Sequence, residues 1–372
     1  MHVGLGLGFQ SLDGASDGDV YRFELGLARR AEAAGFDSIW APEHHFDDYQ
    51  MTPNVPMFLS WIAGQTKTIR LGTMVTVLPW HDPVRVAESF ILLDHLSEGR
   101  AICGLGRGLG RVEFEGFRTP MSESRRRFTE YTEAILSALE SGVIEYDGEL
   151  YKQPPTTLRP KPYASFRGRT FASAISPASI DLMARLGVGL MVIAQKPWPQ
   201  VVEDLTAYRR RFLEINGCEA PKPILAVFVA THEDAAEAQR MREVYIQRYA
   251  RSTVEHYEFG NVAFAEIEGY EYYGGLAKNI AKHGLDKFNG FLADLQVWGT
   301  PEAVVAKLTD YVHQLQVGGV LLLTSYGGMP KAVAQANYDL ITREVVPALQ
   351  ALDVGGDLGV AYAPELQYAA AE

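Results

Sequence analysis

The chain has 372 residues, is 47% hydrophobic and carries a formal net charge of −12. That acidic balance argues against a nucleic-acid partner, which would need a basic face, and no uncharged apolar run approaches the roughly 18 residues of a membrane span. Two distant cysteines, Cys103 and Cys218, give no disulfide framework and suit a reducing cytosol; with no signal-peptide pattern at the start, a cytoplasmic protein is expected.

Along the chain the order is strand then helix, repeatedly. Residues 3–9 read as a first strand. Residues 20–34 form an amphipathic helix, with Asp19 as its N-cap and Gly35 as its stop. A second strand spans 37–41, and a β-branched third spans 69–77. Pro83–Leu96 is a helix with proline at an early position, where its missing N–H costs nothing. Strand four is 101–105, followed by a long helix over 122–141. Strands follow at 170–174, 188–194 and 224–230, with helices near Ser176, Pro199 and Glu233. A helix over 301–316, an eighth strand over 320–324 and a helix over 331–349 close the pattern. Eight short apolar strands alternating with helices predict an α/β fold, a (β/α)8 TIM barrel with insertions in its late βα loops. One barrel takes residues 1–350. Two stretches break the alternation. Residues 145–163 hold four prolines and read as an extended excursion. Residues 249–295 show no clean period and are expected to form an active-site lid. Residues 351–372 form a loose or docked tail.

At the end of the second strand stands Trp40-Ala41-Pro42-Glu43-His44-His45-Phe46. The carboxyl ends of strands are where α/β folds place their chemistry, and imidazole changes charge near neutral pH. Glu43 and His44 are the catalytic candidates, with Glu43 able to orient or charge His44. His45 should point the other way and serve structure. The plainer reading is a loop with two satisfied polar side chains. Gly104-Leu-Gly106-Arg107-Gly108-Leu-Gly110-Arg111 lets backbone N–H groups approach an anion and adds arginine charge. It is no dinucleotide fingerprint, because the third glycine of G-x-G-x-x-G would fall at Leu109 or Arg111. Ser176-Pro177-Ala178-Ser179 opens a helix with two hydroxyls, as a phosphate cradle or an ordinary cap. No metal is expected. Glu43-His44-His45 is not H-E-x-x-H, and neighbouring histidines on one strand face opposite ways. Gly14-Ala-Ser16-Asp-Gly18 matches a nucleophile elbow but lacks the preceding strand.

These motifs, taken in order, resemble the bacterial luciferase-like flavin-dependent monooxygenases. The match runs through Gly35-Phe36-Asp37-Ser-Ile-Trp40, Glu43-His44-His45-Phe46 and Leu71-Gly72-Thr73-Met74-Val75. It continues with His81-Asp-Pro83-Val-Arg85, Leu93-Asp94-His-Leu-Ser97-Glu-Gly99-Arg100, Arg107-Gly108-Leu109 and Ser124-Arg125, then Val297-Trp-Gly299-Thr300-Pro301-Glu302. The resemblance covers residues 1–130, 168–195 and 295–350. It implies a TIM barrel that binds reduced FMN at the carboxyl ends of its strands. Reduced flavin and O2 would form a peroxyflavin that oxygenates a small apolar organic substrate. His44 matches the family's catalytic base. Arg107, Arg125, Ser176 and Ser179 match its phosphate-binding positions, and Met74-Val75 matches a non-prolyl cis peptide beneath the flavin ring. The loop aromatics Phe46, Trp80 and Tyr257 are expected to line the substrate pocket. With no fingerprint for a nicotinamide cofactor, a separate flavin reductase is expected; the resemblance, with helices near 58–66 and 83–96 where Trp61 and Phe90 are apolar beyond one core face, implies a homodimer. Light-emitting members carry Cys where this chain has Gly106 and an acidic residue where it has Ile175, so a luciferase proper is not expected. The alternatives are a deazaflavin-dependent oxidoreductase of the same fold and a non-catalytic flavin-binding protein.

Overall fold

The computed structural model describes residues 1–11, 14–173, 177–355 and 358. Eight strands carry the architecture: β1 (His2–Gly6), β2 (Ser38–Ala41), β3 (Arg70–Thr73), β4 (Ala101–Gly106), β5 (Thr170–Ser173), β6 (Gly189–Ile193), β7 (Ile224–Thr231) and β8 (Gly319–Leu323). Each pairs in parallel with the next, and β8 pairs with β1 from His2–Gly319 to Gly6–Leu323, which closes the barrel. The expected (β/α)8 barrel is therefore the fold. Two short strands add to the barrel sheet. Thr76–Val77 pairs with Leu105 and Gly106 at the end of β4, and Val297–Gly299 pairs with β7.

Alternation along the strands makes two cores. Outward side chains pack under the helices in one large cluster. Inward ones, Trp40, Ile102, Phe171, Met191, Ile224 and Leu321, fill the barrel, and Leu358 of the tail packs among them. Trp40 needs space that its neighbour supplies, since a Cβ on Gly72 would lie 2.3 Å from the indole ring. Its Nε1 donates to Ser38 Oγ at 2.7 Å, and His2 Nε2 lies 2.6 Å from the same oxygen. The Leu93–Arg100 motif ties helix Pro83–Leu96 to the barrel floor. Its fully buried Asp94 takes both arms of Arg169, at 2.5 and 2.6 Å. A buried pair of this kind is costly to break from one side.

Several expectations need correction. The first helix is Asp17–Ala31, and its N-cap is Ser16, which accepts from Asp19 N, so Asp19 is not the cap. The proline-rich excursion is an antiparallel hairpin, Val143–Asp147 with Lys152–Thr157. The stretch without period is mostly helical, with helices Gln247–His256, Glu271–His283 and Leu285–Asp294. Glycine and aromatic residues hid the period there. A Cβ on Gly274, for example, would meet the Ala265 backbone at 2.4 Å, so close packing excludes a side chain inside that helix. Phe90 is core rather than surface. Apart from Leu358, whose carbonyl accepts from Arg70, the tail beyond Gly355 lies outside the described residues. No helix among the described residues is long and apolar enough to cross a membrane.

Candidate active site

A cavity of about 440 Å³ opens at the carboxyl end of the barrel, within the size range of small-molecule sites. Its floor is the Met74–Val75 peptide, which is cis, at the end of β3. Gly106 lies flat against it, since a Cβ there would meet Val75 Cγ2 at 2.1 Å. Leu182, Met183 and Ile193 form an apolar wall. Gly269, Glu271, Tyr272 and Tyr273, from the helical insertion, reach the mouth.

Arg107 and Arg125 line one end. Arg107 Nη1 donates to the Gly269 carbonyl at 2.7 Å and Arg125 Nη2 to the same oxygen at 3.3 Å. Arg107 also lies over the Tyr270 ring, 4.2 Å from its centre. Among the described residues no carboxylate forms an ion pair with either guanidinium. Ser179 lines this cavity too, while Ser176 lies outside the described residues.

His44 lines the other side. Its Nδ1 lies 3.0 Å from Glu113 Oε1, and its Nε2 3.2 Å from the Tyr257 hydroxyl. A carboxylate only accepts, so the Nδ1 proton belongs to His44, which leaves the Nε2 lone pair facing the Tyr257 hydroxyl at the cavity edge. Burial pushes the Tyr257 hydroxyl well above its ordinary range, so it stays protonated and donates to Nε2.

Glu43 does not touch His44. Its Oε1 takes Trp80 Nε1 at 2.8 Å, His81 Nε2 at 2.6 Å and His45 Nε2 at 3.2 Å, and its Oε2 accepts from Val77 N at 3.0 Å. Burial raises this carboxyl, but bonds from His45, His81 and Trp80 outweigh it and hold it down to about 2. Glu43 thus clamps the loop after β3, and the expected Glu43–His44 pairing is replaced by Glu113–His44. Glu113 escaped the sequence reading. It sits in the first turn of helix Arg111–Gly116, right after the glycine-rich loop, and an acidic residue there also reads as an ordinary helix start.

Of the expected substrate aromatics, Tyr257 lines the cavity. Phe46 and Trp80 do not. Phe46 is 59% exposed and packs on Phe117, and Trp80 stacks on Phe117 behind Gly108. His256 was also missed. It stacks on Tyr49 and stands edge-on to His44, with ring centres 4.8 Å apart. Donor atoms of His44, Glu113 and His256 lie within 4.8 Å of one another, a grouping that sequence spacing could not reveal.

A family model described as luciferase-like monooxygenase matches residues 1–317. The chain belongs to the luciferase-like monooxygenase family. It is accordingly an enzyme, an oxidoreductase of this flavin-dependent group. The alkanal monooxygenase alpha chain of Photobacterium leiognathi is 26% identical over 344 residues, covering 91% of this chain and 96% of that one. An uncharacterized protein of Sinorhizobium fredii is 34% identical over 338 residues, covering 90% and 93%. Among solved structures, the monooxygenase RslO1 from Streptomyces bottropensis superposes with TM-score 0.79 at 23% identity, covering 94% and 100%. The oxygenating constituent of 3,6-diketocamphane monooxygenase from Pseudomonas putida, solved with FMN, gives 0.70 at 19% identity, covering 93% and 98%. An F420-dependent secondary alcohol dehydrogenase gives 0.69 at 15% identity, covering 94% and 98%. These structural likenesses show the fold.

Proposed function

We propose that this luciferase-like enzyme is the oxygenase of a two-component system. It would take reduced FMN from a separate reductase and use it with O2 to oxygenate a small apolar organic molecule. The observation that carries this reading is the meeting of Arg107 and Arg125 over one carbonyl at the cavity end. Two guanidiniums without a paired carboxylate suit a phosphate, and the flat Met74–Val75 floor with Gly106 suits a planar ring. Bound reduced FMN supplies the electrons that send one oxygen atom of O2 into the substrate and the other into water.

The chain's own residues do the rest. Arg107, Arg125 and Ser179, with Ser176 as the family match, hold the phosphate. Leu182, Met183 and Ile193 keep water from the cavity. His44 Nε2 accepts a proton at the cavity edge, and Glu113 fixes its ring and tautomer. Tyr257, Tyr272 and Tyr273 offer aromatic surface to the substrate. Glu43 acts as a positioning residue for the loop that carries Trp80 and His81. A homodimer and a cytoplasmic location complete the reading, and no step calls for a metal.

Anaerobic titration of the full chain with reduced FMN and with reduced F420, followed by mixing with O2, tests it. Tighter binding of reduced FMN and rapid oxidation on mixing are expected. Preference for reduced F420 would instead favour a deazaflavin-dependent oxidoreductase, and FMN bound without reaction would favour a flavin carrier.

A further inference from the structure

His256 has no part in the function proposed above, yet it is built into the site. It ends helix Gln247–His256, and its side chain is 1% exposed. Its Nδ1 lies 2.6 Å from Asp47 Oδ2, and the Asp47 side chain is 33% exposed, so Asp47 connects this end of the buried ring to solvent. Burial raises the Asp47 carboxyl, but the hydrogen bond and charge of His256 outweigh it and hold it below its ordinary range. An ionised Asp47 therefore takes the Nδ1 proton of His256.

The other nitrogen, Nε2, is buried with no hydrogen-bond partner and faces Glu113 Oε2 across 3.9 Å. Glu113 Oε1 is meanwhile engaged by His45 N and His44 Nδ1, each at 3.0 Å. With its Nδ1–H donating a hydrogen bond to Asp47, His256 Nε2 would face the Glu113 carboxylate as one acceptor facing another, unless one of them carries a proton. Gly110 keeps the space between them open. A Cβ there would lie 2.5 Å from Glu113 Oε2 and 3.1 Å from His256 Nε2. The other groups facing the pair are Tyr49, stacked on His256 at 4.4 Å, Tyr257 at 4.7 Å, and Glu258, itself paired with Arg111.

We propose that His44, Glu113, His256 and Asp47 form a proton wire, which carries the proton accepted at His44 Nε2 from the cavity to the surface. The wire rests on the reading of His44 as the proton acceptor. Each transfer balances. As His44 gains a proton at Nε2, its Nδ1 proton passes to Glu113 Oε1. One proton crosses the gap from Glu113 Oε2 to His256 Nε2, and the His256 Nδ1 proton passes to Asp47 and on to water. No electrons move. His256 and Asp47 act through His44 and touch no substrate.

The test uses the full chain without cofactor, labelled with [15N]histidine, and follows by NMR the exchange of the His44 Nδ1 proton with solvent. His256→Gln and Asp47→Asn should each slow that exchange at least about tenfold, in line with the weight of a positioned proton-transfer group. Gly110→Ala, which puts a methyl into the gap, should act likewise. Exchange at the wild-type rate in Asp47→Asn would overturn the proposal and leave His256 an orienting role only. Asp47 lies at the surface, so this variant decides even if a buried one does not fold. A shift of both imidazole signals on adding EDTA would also overturn it, since the three inner groups would then hold a metal. No flavin is present, so a failure of FMN binding leaves the wire standing, and normal FMN binding with unchanged exchange rejects the wire alone.

Discussion

His44 and His45 are neighbours in sequence and opposites in environment. His44 faces the cavity on Glu113, whereas His45 turns to Glu43 and packs edge-on against Phe117. The opposition was expected from strand alternation, although both residues lie past the end of β2 at Ala41. The partner of His44 was not legible, because Glu113 lies 69 residues further on and only the fold joins them. His44→Ala should keep the fold and FMN binding, yet lose at least about a hundredfold in substrate oxygenation while hydrogen peroxide release rises. Product and peroxide assays on the same sample check this, and near wild-type oxygenation would remove His44 as the proton acceptor. A second buried group acts on stability. Glu24, on helix Asp17–Ala31, is pushed by burial up to about 7, with hydrogen bonds from Ser325, Gly8 and Phe9 offsetting only part of it. The unfolded chain releases this proton near 4.5, so the folded state holds an extra proton between 4.5 and about 7. Stability should therefore fall as pH rises through that window and level off above it. Glu24→Gln should stabilise the protein by up to about 3 kcal/mol at pH 8 and far less at pH 5. Denaturant titrations at the two pH values check this, and an equal effect at both would contradict it.

At the level of elements, the barrel was readable because each strand is short, apolar and bounded by a helix. The third strand ends earlier than its β-branched run suggests, at Thr73, and resumes as Thr76–Val77 beyond the cis peptide. The helical insertion was the least legible part, and it supplies most of the cavity mouth. Helix Glu271–His283 begins at the mouth and is flanked by Gly269 and Gly284, both in the left-handed region with φ of 85° and 94°. Only glycine takes that conformation freely, so both ends of the helix are suited to hinge motion. Residues 249–295 should therefore act as a lid, and limited proteolysis there should slow when FMN binds. Cleavage at the same rate with and without FMN would count against it.

For the whole molecule, the alternation of strands and helices pointed to the barrel, and the ordered motifs pointed to the family. Assembly rests on a surface. Met57 and Trp61 on helix Val55–Ala63, and Leu92 and Leu96 on helix Pro83–Leu96, are all at least 40% exposed. Phe90, expected on that face, is core instead. Adjacent helices that leave four large apolar side chains in water point to a partner of the same kind. Light scattering at micromolar concentration should give twice the chain mass, and a monomer mass would contradict the dimer. The central claim is that the cavity holds FMN with its phosphate on Arg107 and Arg125. The most direct measurement compares Kd for FMN and for riboflavin, which lacks the phosphate, in wild type and in Arg125→Ala. A charge-assisted bond contributes roughly 1.5–3 kcal/mol, so the account predicts at least about tenfold weaker FMN binding with riboflavin binding unchanged. Equal losses for both ligands, or none for either, would contradict it.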